Sequence, residues 1–167
     1  IVEKPLKGIK IGVSLHLEKK TGILLQALHD GGAEIFASSC NPLTTDDDVA
    51  SALKDKMEIY GWAGQTDDEY YEALNSVMSS NPHIIIDDGC DLILLAHAKY
   101  SQNLGNILGA CEETTTGIVR LEAMHNDGKL KFPVMAVNNA HSKYLFDNRY
   151  GTGQSVIEGI VSATNTL

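Results

Sequence analysis

Short β-branched runs alternate with longer amphipathic runs along most of the chain, and this alternation limits the fold more than any other sequence feature. The β-branched runs predict strands at residues 9–13, 34–37, 58–62, 83–87 and 134–137. The amphipathic runs predict helices near residues 22–29, 46–53, 67–78, 114–125 and 154–163, and the stretch 93–110 predicts short helices around a loop. We therefore predict an α/β fold, Rossmann-like or flavodoxin-like, with an open, mostly parallel sheet and helices on both faces.

The length and charge of the chain set further limits. A chain of 167 residues with 43% hydrophobic content fits one domain, residues 1–167. Its net charge of -9 repels phosphates and anionic lipid, so we expect neither nucleic acid nor a membrane as partner. No apolar run approaches the roughly 20 residues that span a bilayer, and no signal peptide is recognisable, which predicts a cytoplasmic protein. The ends at Ile1 and Leu167 both look cut from a longer polypeptide.

Polar side chains follow most of the predicted strands, at the point where each strand ends. They are Ser14 and His16 after the first strand, residues 38–41 after the second, Asp87, Asp88 and Asp91 after the fourth, and Asn138, Asn139, Lys143 and Asp147 after the fifth. The carboxyl ends of parallel strands meet at one edge, and ligands of open sheets bind beyond that edge. The sequence therefore predicts a functional site there.

Each of these signals also has a simpler interpretation. His16 alone is typical of a hydrogen-bonded turn residue, and Asp87 and Asp88 before a glycine are typical of a turn. The spacing of Lys143 and Asp147 indicates a solvated salt bridge on a helix. Only their common position at the strand ends favours a site.

Three successive threonines, Thr114, Thr115 and Thr116, follow two glutamates and precede Gly117. A helix start needs one capping hydroxyl, whereas three β-branched residues in succession make a poor helical turn. Their hydroxyls form a hydrogen-bonding ledge for a sugar or an amide, so we interpret them as part of a ligand site.

Several motifs that carry chemistry in other proteins are absent from the sequence. Cys40, Cys90 and Cys111 lack the CxxC spacing of zinc and redox sites, so we predict buried free thiols and no metal site. Residues 151–156 approach GxGxxG, but Val156 replaces the third glycine and no strand precedes them, which excludes a dinucleotide fingerprint. The GxxxxGK[ST], HExxH and GxSxG motifs do not occur either.

Six segments resemble the adenosylhomocysteinase family, also called S-adenosylhomocysteine hydrolase, in order and spacing: HLEKKT, SSCNPLTTDD, YGWAGQT, IIDDGCDL, CEETTTG and FDNRYG. The resemblance covers nearly the whole chain. It implies that residues 1–167 are the N-terminal segment of that family's substrate-binding domain. It also implies that the NAD-binding domain and the C-terminal tail are absent from this chain, that this fragment alone is inactive, and that full-length members are homo-oligomers, namely tetramers.

The resemblance implies a thioether hydrolase that converts S-adenosyl-L-homocysteine to adenosine and homocysteine with NAD as cofactor. In that family the ribose 3′-hydroxyl is oxidised to a ketone, which acidifies the C4′ hydrogen and allows the thiol to be eliminated. Water addition and reduction of the ketone complete the turnover.

The same resemblance assigns roles to individual residues. Glu113 matches the carboxylate that grips the ribose hydroxyls, while Lys143 and Asp147 match catalytic residues that contact the sugar, which reverses the interpretation from spacing alone. Asp88 and His16 match the catalytic pair that faces the 5′ side, removes the C4′ proton and handles the leaving thiol. The residues matching positions that contact NAD are Thr114, Thr115, Thr116 and Asn148.

The sequence departs from the family pattern at two places. Thr152 stands where members often carry a cysteine, so a thiol role there is unsupported. Glu18 and Lys20 stand where many members carry a threonine and then a glutamate or glutamine that faces adenine. A lysine is a pure donor and suits the O6 acceptor of hypoxanthine, whereas the N6 donor of adenine needs an acceptor such as Glu18. An S-inosyl-L-homocysteine hydrolase is therefore an alternative function.

A phosphoacceptor receiver-like signalling domain is a further alternative, because an Asp pair, a Thr and a Lys at parallel strand ends are its working parts. The order opposes it: receivers carry the acidic pair after the first strand, where this chain has His16. A third alternative is an interaction module that pairs through the surfaces the family uses for oligomers.

Overall fold

The computed structural model describes residues 3–166. Ile1, Val2 and Leu167 lie outside the described residues, and with them both chain ends that the sequence analysis interpreted as cut from a longer polypeptide. Six strands in this range form one sheet: β1 Lys10–Leu15, β2 Glu34–Ser39, β3 Glu58–Ile59, β4 Ile84–Asp87, β5 Gly109–Glu112 and β6 Val134–Ala136. The helices in the same range are α1 Lys19–Asp30, α2 Asp47–Leu53, α3 Asp67–Ser79, α4 Asp91–Lys99, α5 Thr115–Asn126, α6 His141–Lys143 and α7 Thr152–Thr164. A π-helical segment, Tyr144–Gly151, joins α6 to α7.

The strands are all parallel and lie in the order β3-β2-β1-β4-β5-β6. The chain runs outward from β1 to β3, returns to β4 beside β1, and then runs outward in the other direction. The order therefore reverses between β1 and β4, as in Rossmann-type sheets rather than flavodoxin-type sheets. The predicted α/β class and the parallel sheet are confirmed.

Helices cover both faces of the sheet, each through one apolar stripe. On α3 the buried residues Tyr70, Ala73, Leu74, Val77 and Met78 recur at helical spacing, and they pack with α4 and α5 on one face. The other face packs against α1 and α2 through Leu25 and Leu53, among others. Burial of each large aliphatic side chain contributes roughly 1.5–3 kcal/mol, so these two layers stabilise the sheet.

The short helices predicted for residues 93–110 are confirmed over most of that stretch, by α4 and by a 3-10 helix at Ser101–Asn106. The prediction missed the strand β5, because Gly109–Glu112 pair between β4 and β6. The segment has no β-branched residue, so its strand state comes from pairing on both sides rather than from propensity. Gly109 also allows a close approach, because an added Cβ would lie 3.1 Å from the Pro133 carbonyl oxygen. The predicted strand 58–62 is shorter than expected and comprises only Glu58–Ile59.

Local caps explain where two helices begin. Thr66 and Glu69 form a capping box at α3, in which each side chain bonds the other residue's backbone amide. Asp46 caps α2 by accepting from the amides of Asp48 and Val49. Within residues 3–166, no helix combines the length and hydropathy that crossing a bilayer needs.

Candidate functional site

His16 and Asp88 lie on either side of the point where the strand order reverses. His16 follows β1 and Asp88 follows β4, and these strands pair so that Ser14 lies opposite Asp87. The His16 Nε2 and Asp88 Oδ2 atoms are 3.3 Å apart. The crevice at such a reversal is where open α/β sheets bind ligands. The structure thus brings together two residues that the sequence predicted at this edge.

Thr44 fixes the orientation of the His16 ring. Its Oγ1 atom lies 2.6 Å from His16 Nδ1 and donates its own proton to the Asn41 carbonyl oxygen at 3.0 Å. Because that proton is committed, the hydroxyl oxygen accepts from Nδ1–H. A neutral His16 therefore directs the Nε2 lone pair toward Asp88, and two acceptors that face each other need a cation between them. A pair in this arrangement can hold a proton between its two acceptor atoms.

Cys40 completes a cluster with His16 and Asp88. It follows β2, the neighbour of β1, and its Sγ atom lies within 4.8 Å of ligand atoms of both residues. Burial first, and then the charges of Asp88, Asp87 and Glu113, raise the pKa of Cys40, so the thiol keeps its proton. No local sequence pattern indicates this contact, because Cys40 and His16 approach each other only through pairing of β1 with β2.

The three cysteines are free thiols, as predicted, but their burial differs from the prediction. Cys90 is fully buried in the core, whereas Cys40 and Cys111 are partly exposed. The exposure of Cys40 follows from its position just beyond a strand end, where the helices no longer cover the sheet.

Two fully buried carboxyl groups, Asp87 and Glu112, lie opposite each other at the ends of β4 and β5. Asp87 Oδ2 accepts from the Ile93 amide at 2.8 Å, whereas Glu112 Oε2 has no hydrogen-bond partner among residues 3–166. Burial is the largest cause that raises the pKa of each group, and each carboxyl group is penalised further by a nearby acidic charge. Both groups are closed off from solvent, so they support the site from below.

Glu112 joins the two loops that carry the predicted acidic site residues. Its Oε1 atom accepts from the Gly89 amide at 2.8 Å and from the Thr114 amide at 3.1 Å. Gly89 follows Asp88 directly, and Thr114 follows Glu113 directly. One buried side chain therefore sets the separation between Asp88 and Glu113.

Glu113 lies half-buried beside a cavity of about 350 Å³. Burial first, and then the Asp88 charge, raise the pKa of Glu113, while Lys143 opposes the rise. The cavity is also lined by Leu24, Ile86, Lys143 and Asp147. Apolar walls with a few converging charged groups suit a ligand that presents hydroxyls. A cavity of about 380 Å³ against α5 and β6 includes none of the predicted site residues in its lining.

Lys143 contacts three oxygen-bearing side chains and is not an exposed salt-bridge residue. Its Nζ atom donates to Asn148 Oδ1 at 2.7 Å and to Asn138 Oδ1 at 3.0 Å, and it lies 3.4 Å from Asp147 Oδ2. Asn148 is five residues further on, and π-helical winding brings position i+5 alongside the lysine. Only 16% of the Lys143 side chain is exposed. The ion pair predicted from spacing alone is therefore present, but its lysine is largely buried and only Asp147 is well exposed to solvent.

Asn138 is a central residue of this network, although the sequence placed it only at the predicted edge and indicated no role for it. Its Oδ1 atom lies 3.0 Å from Lys143 Nζ, 3.0 Å from Asn148 Nδ2 and 3.3 Å from Thr115 Oγ1. The residue is buried and follows β6. The only sequence signal for it was the pair of asparagines after a predicted strand.

The three predicted threonines differ in their surroundings. Thr115 is bonded to Asn138 and Asn148, so it belongs to the same network. Thr114 is the N-cap residue of α5, but its side chain makes no capping bond within the described residues. Thr116 is exposed in the first turn of α5. The hydroxyls therefore lie at the start of α5, at the carboxyl edge of the sheet.

Glu18 and Lys20 lie at the start of α1, directly after β1. The Lys20 ammonium is 4.0 Å from the Glu18 carboxylate, and 91% of the Lys20 side chain is exposed. The structure places both residues near the edge where His16 lies, without drawing Lys20 into the hydrogen-bonded network. Their predicted contact with a base remains a prediction.

Known proteins match this chain over nearly its whole length. The family model for S-adenosyl-L-homocysteine hydrolase matches residues 1–102 and 95–166. The S-inosyl-L-homocysteine hydrolase of Methanocaldococcus jannaschii is 61% identical over 166 residues, and the adenosylhomocysteinase of Archaeoglobus fulgidus is 52% identical over 166 residues. Both alignments cover 99% of this chain, but the chain spans only 40% and 41% of these relatives. The chain belongs to the S-adenosyl-L-homocysteine hydrolase family.

Proposed function

We propose that this chain is the N-terminal part of the substrate-binding domain of an NAD-dependent hydrolase that cleaves an S-nucleosyl-L-homocysteine to a nucleoside and homocysteine. The observation that carries the proposal is the convergence at one edge of the sheet of the His16–Asp88 pair with three charged side chains, Glu113, Lys143 and Asp147, that line one cavity. The names of the relatives support the same substrate class.

A few residues of this chain are placed so that they could contact NAD, but they would supply only a minor part of its binding site. Thr115 and Thr116 are exposed at the start of α5, and Asn148 lies beside Thr115. The connection from β1 to α1 carries His16 and no glycine-rich turn, so we propose that the pyrophosphate is held by a separate domain. When bound, NAD supplies reversible hydride acceptance at the ribose 3′ carbon. The segment alone is then inactive.

The side chains of this segment divide the proton transfers between two places. Glu113 and Asp147 accept hydrogen bonds from the ribose hydroxyls, and the Lys143 amine, held by Asn138 and Asn148, assists loss of the 3′-hydroxyl proton. Asp88 and His16 act at the 5′ side, where one removes the C4′ proton and the pair delivers a proton to the leaving sulfur. The ring orientation set by Thr44 keeps His16 Nε2 on that side.

An apolar face on α7 supports the presence of further packing partners. Val156, Ile157 and Ile160 are all more than half exposed, at helical spacing. We propose that the rest of the enzyme or a neighbouring subunit of a homo-oligomer covers this face. The tetramer and the cytoplasmic location remain predictions.

No observation favours a phosphoacceptor receiver, since His16 stands where a receiver carries its acidic pair.

Inosine is the second candidate for the base, and Lys20 is the residue that favours it. We propose that Lys20 donates to the O6 acceptor of hypoxanthine, and several relatives named S-inosyl-L-homocysteine hydrolase support this reading. The test compares kcat/KM for the inosyl and adenosyl substrates in the complete NAD-loaded enzyme, with and without Lys20→Glu. We expect the substitution to shift the ratio at least roughly tenfold toward the adenosyl substrate, because one hydrogen bond to a base is gained or lost.

Lys19→Glu is the matched control, because the neighbouring exposed lysine undergoes the same charge change. It should leave the substrate ratio unchanged. If Lys20→Glu and Lys19→Glu shift the ratio of kcat/KM for the two substrates equally, Lys20 does not contact the base specifically. If neither substrate releases homocysteine in the unsubstituted enzyme, the proposed function itself is wrong.

A further inference from the structure

A proton is not the only cation that fits between His16 Nε2 and Asp88. Cys40 brings a third ligand atom, and the nitrogen, sulfur and oxygen atoms of the three residues all lie within 4.8 Å of one another. Within residues 3–166 this is the one group of three such side chains that is close enough to hold a metal ion. We propose that His16 Nε2, Cys40 Sγ and one Asp88 oxygen form a binding site for a single zinc ion.

The distances are close to those that zinc requires. Zinc bonds of about 2.0–2.3 Å at tetrahedral angles place the ligand atoms about 3.3–3.8 Å from one another. His16 Nε2 and Asp88 Oδ2 are already 3.3 Å apart. The Cys40 thiol therefore has to move by only about 1 Å, which a small side-chain rotation achieves. Each ligand follows a different strand, β1, β2 or β4, so the paired sheet keeps the three together.

The surroundings of His16 are those of a metal ligand. A ligating histidine normally donates its other ring nitrogen's proton to a fixed acceptor, which holds the tautomer and the ring plane. Thr44 Oγ1 lies 2.6 Å from Nδ1, and in the tautomer that carries its proton on Nδ1 the Nε2 lone pair faces the cluster. Imidazole, thiolate and carboxylate together favour zinc over magnesium or calcium, which prefer oxygen ligands alone.

Zinc binding requires one proton to leave. As the zinc–sulfur bond forms, the Cys40 thiol proton passes to solvent, and the zinc charge then balances the thiolate and the Asp88 carboxylate. Binding also breaks the direct contact between His16 Nε2 and Asp88 Oδ2, so we expect reversible binding rather than permanent occupancy. Three protein ligands also leave the fourth position open to water or to an external thiolate.

One consequence rests on the proposed function, whereas the site itself does not. Zinc would occupy the two residues that transfer protons at the 5′ side, and its open position would accept the thiolate of homocysteine. Zinc would then act as a reversible inhibitor that the product thiol strengthens. Binding by the chain without substrate or NAD tests the site separately from that consequence.

The experiment titrates the metal-free chain with Co²⁺, a spectroscopic substitute for zinc, and then with Zn²⁺. We expect one equivalent of Co²⁺ to produce a thiolate-to-cobalt charge-transfer band and the intense visible bands of tetrahedral cobalt, and one equivalent of Zn²⁺ to remove both. Cys40→Ser should abolish the charge-transfer band. Thr44→Ala should weaken binding by at least roughly tenfold, because the histidine loses its orienting partner.

Cys111→Ser is the matched control, since Cys111 lies on β5 outside the cluster, and it should leave the spectrum unchanged. His16→Gln is a second test at a partly exposed position, and it should remove the tetrahedral bands while circular dichroism shows a folded chain. A faint octahedral spectrum in the unsubstituted chain overturns the proposal, because it indicates surface carboxylates alone. A charge-transfer band that persists in Cys40→Ser also overturns it.

Discussion

Gly117→Ala is expected to destabilise the fold strongly, although alanine normally favours a helix over glycine. Gly117 lies in the first turn of α5, above the buried side chain of Glu112. A Cβ atom at Gly117 would overlap the Glu112 carboxyl group. That group cannot turn toward solvent, because it is fully buried and bonded to the amides of Gly89 and Thr114.

The expected change in the free energy of unfolding combines two destabilising effects with one stabilising effect. Overpacking of a buried site costs about 1–3 kcal/mol, and displacement of the carboxyl group sacrifices two hydrogen bonds of about 1 kcal/mol each. The gain in helix propensity returns at most about 1 kcal/mol. We therefore expect Gly117→Ala to lower the free energy of unfolding by about 2–4 kcal/mol.

The assay is urea unfolding of the chain followed by circular dichroism, with Gly159→Ala as the control. Gly159 lies in the interior of α7 and an added Cβ there meets no atom within 4 Å, so the same substitution should be neutral or slightly stabilising. A second check is the pair Gly117→Ala and Glu112→Ala, whose combined effect should be smaller than the sum of the two, since the overlap disappears. Equal unfolding midpoints for Gly117→Ala and Gly159→Ala would refute the reasoning.

Two further perturbations test the cap and the buried acid. Thr66→Ala should lower the free energy of unfolding by about 1 kcal/mol, because it removes the α3 capping box, whereas Thr66→Ser should retain most of that stability. The measurement is the urea unfolding midpoint of each variant. Equal losses in the two variants would contradict the capping role. The folded-state pKa of Asp87 is raised, so its contribution to stability is fully present below its unfolded pKa of about 3.9 and is lost as pH rises through the folded value. Asp87→Asn, which keeps an acceptor for the Ile93 amide, should therefore flatten the decline of stability with rising pH, and an unchanged pH profile would contradict this.

The sequence was sufficient for the parts of the fold that depend on local periodicity. The apolar stripe of α3 and the polar residues after β1 and β4 are visible without coordinates, so the sheet type and the pairing of His16 with Asp88 at one edge could be predicted. The strand β5 could not, because Gly109 and Ala110 have low strand propensity and pair only through their neighbours.

The candidate site was predicted incompletely for a similar reason. Lys143 looked solvated because ordinary helical spacing hides a partner at i+5, and only the π-helical winding reveals Asn148. Cys40 showed no metal-ligand spacing because its neighbours in space come from other strand ends. Contacts between segments that are distant in sequence leave no local sequence pattern. Residues that depend on such contacts therefore cannot be found by searching for motifs.

The reversal of strand order between β1 and β4 has a consequence for how the site is assembled during folding. The two halves of the sheet meet through contacts such as Lys10 N to His83 Nδ1, which are 73 residues apart in sequence. Contacts of such long range form late, because the chain must first close a large loop. His16 and Cys40 come from the earlier half, whereas Asp88 and Glu113 come from the later one. The site therefore forms only after the two halves of the sheet have docked. The distance between His16 and Asp88, which come from different halves, indicates whether docking is complete.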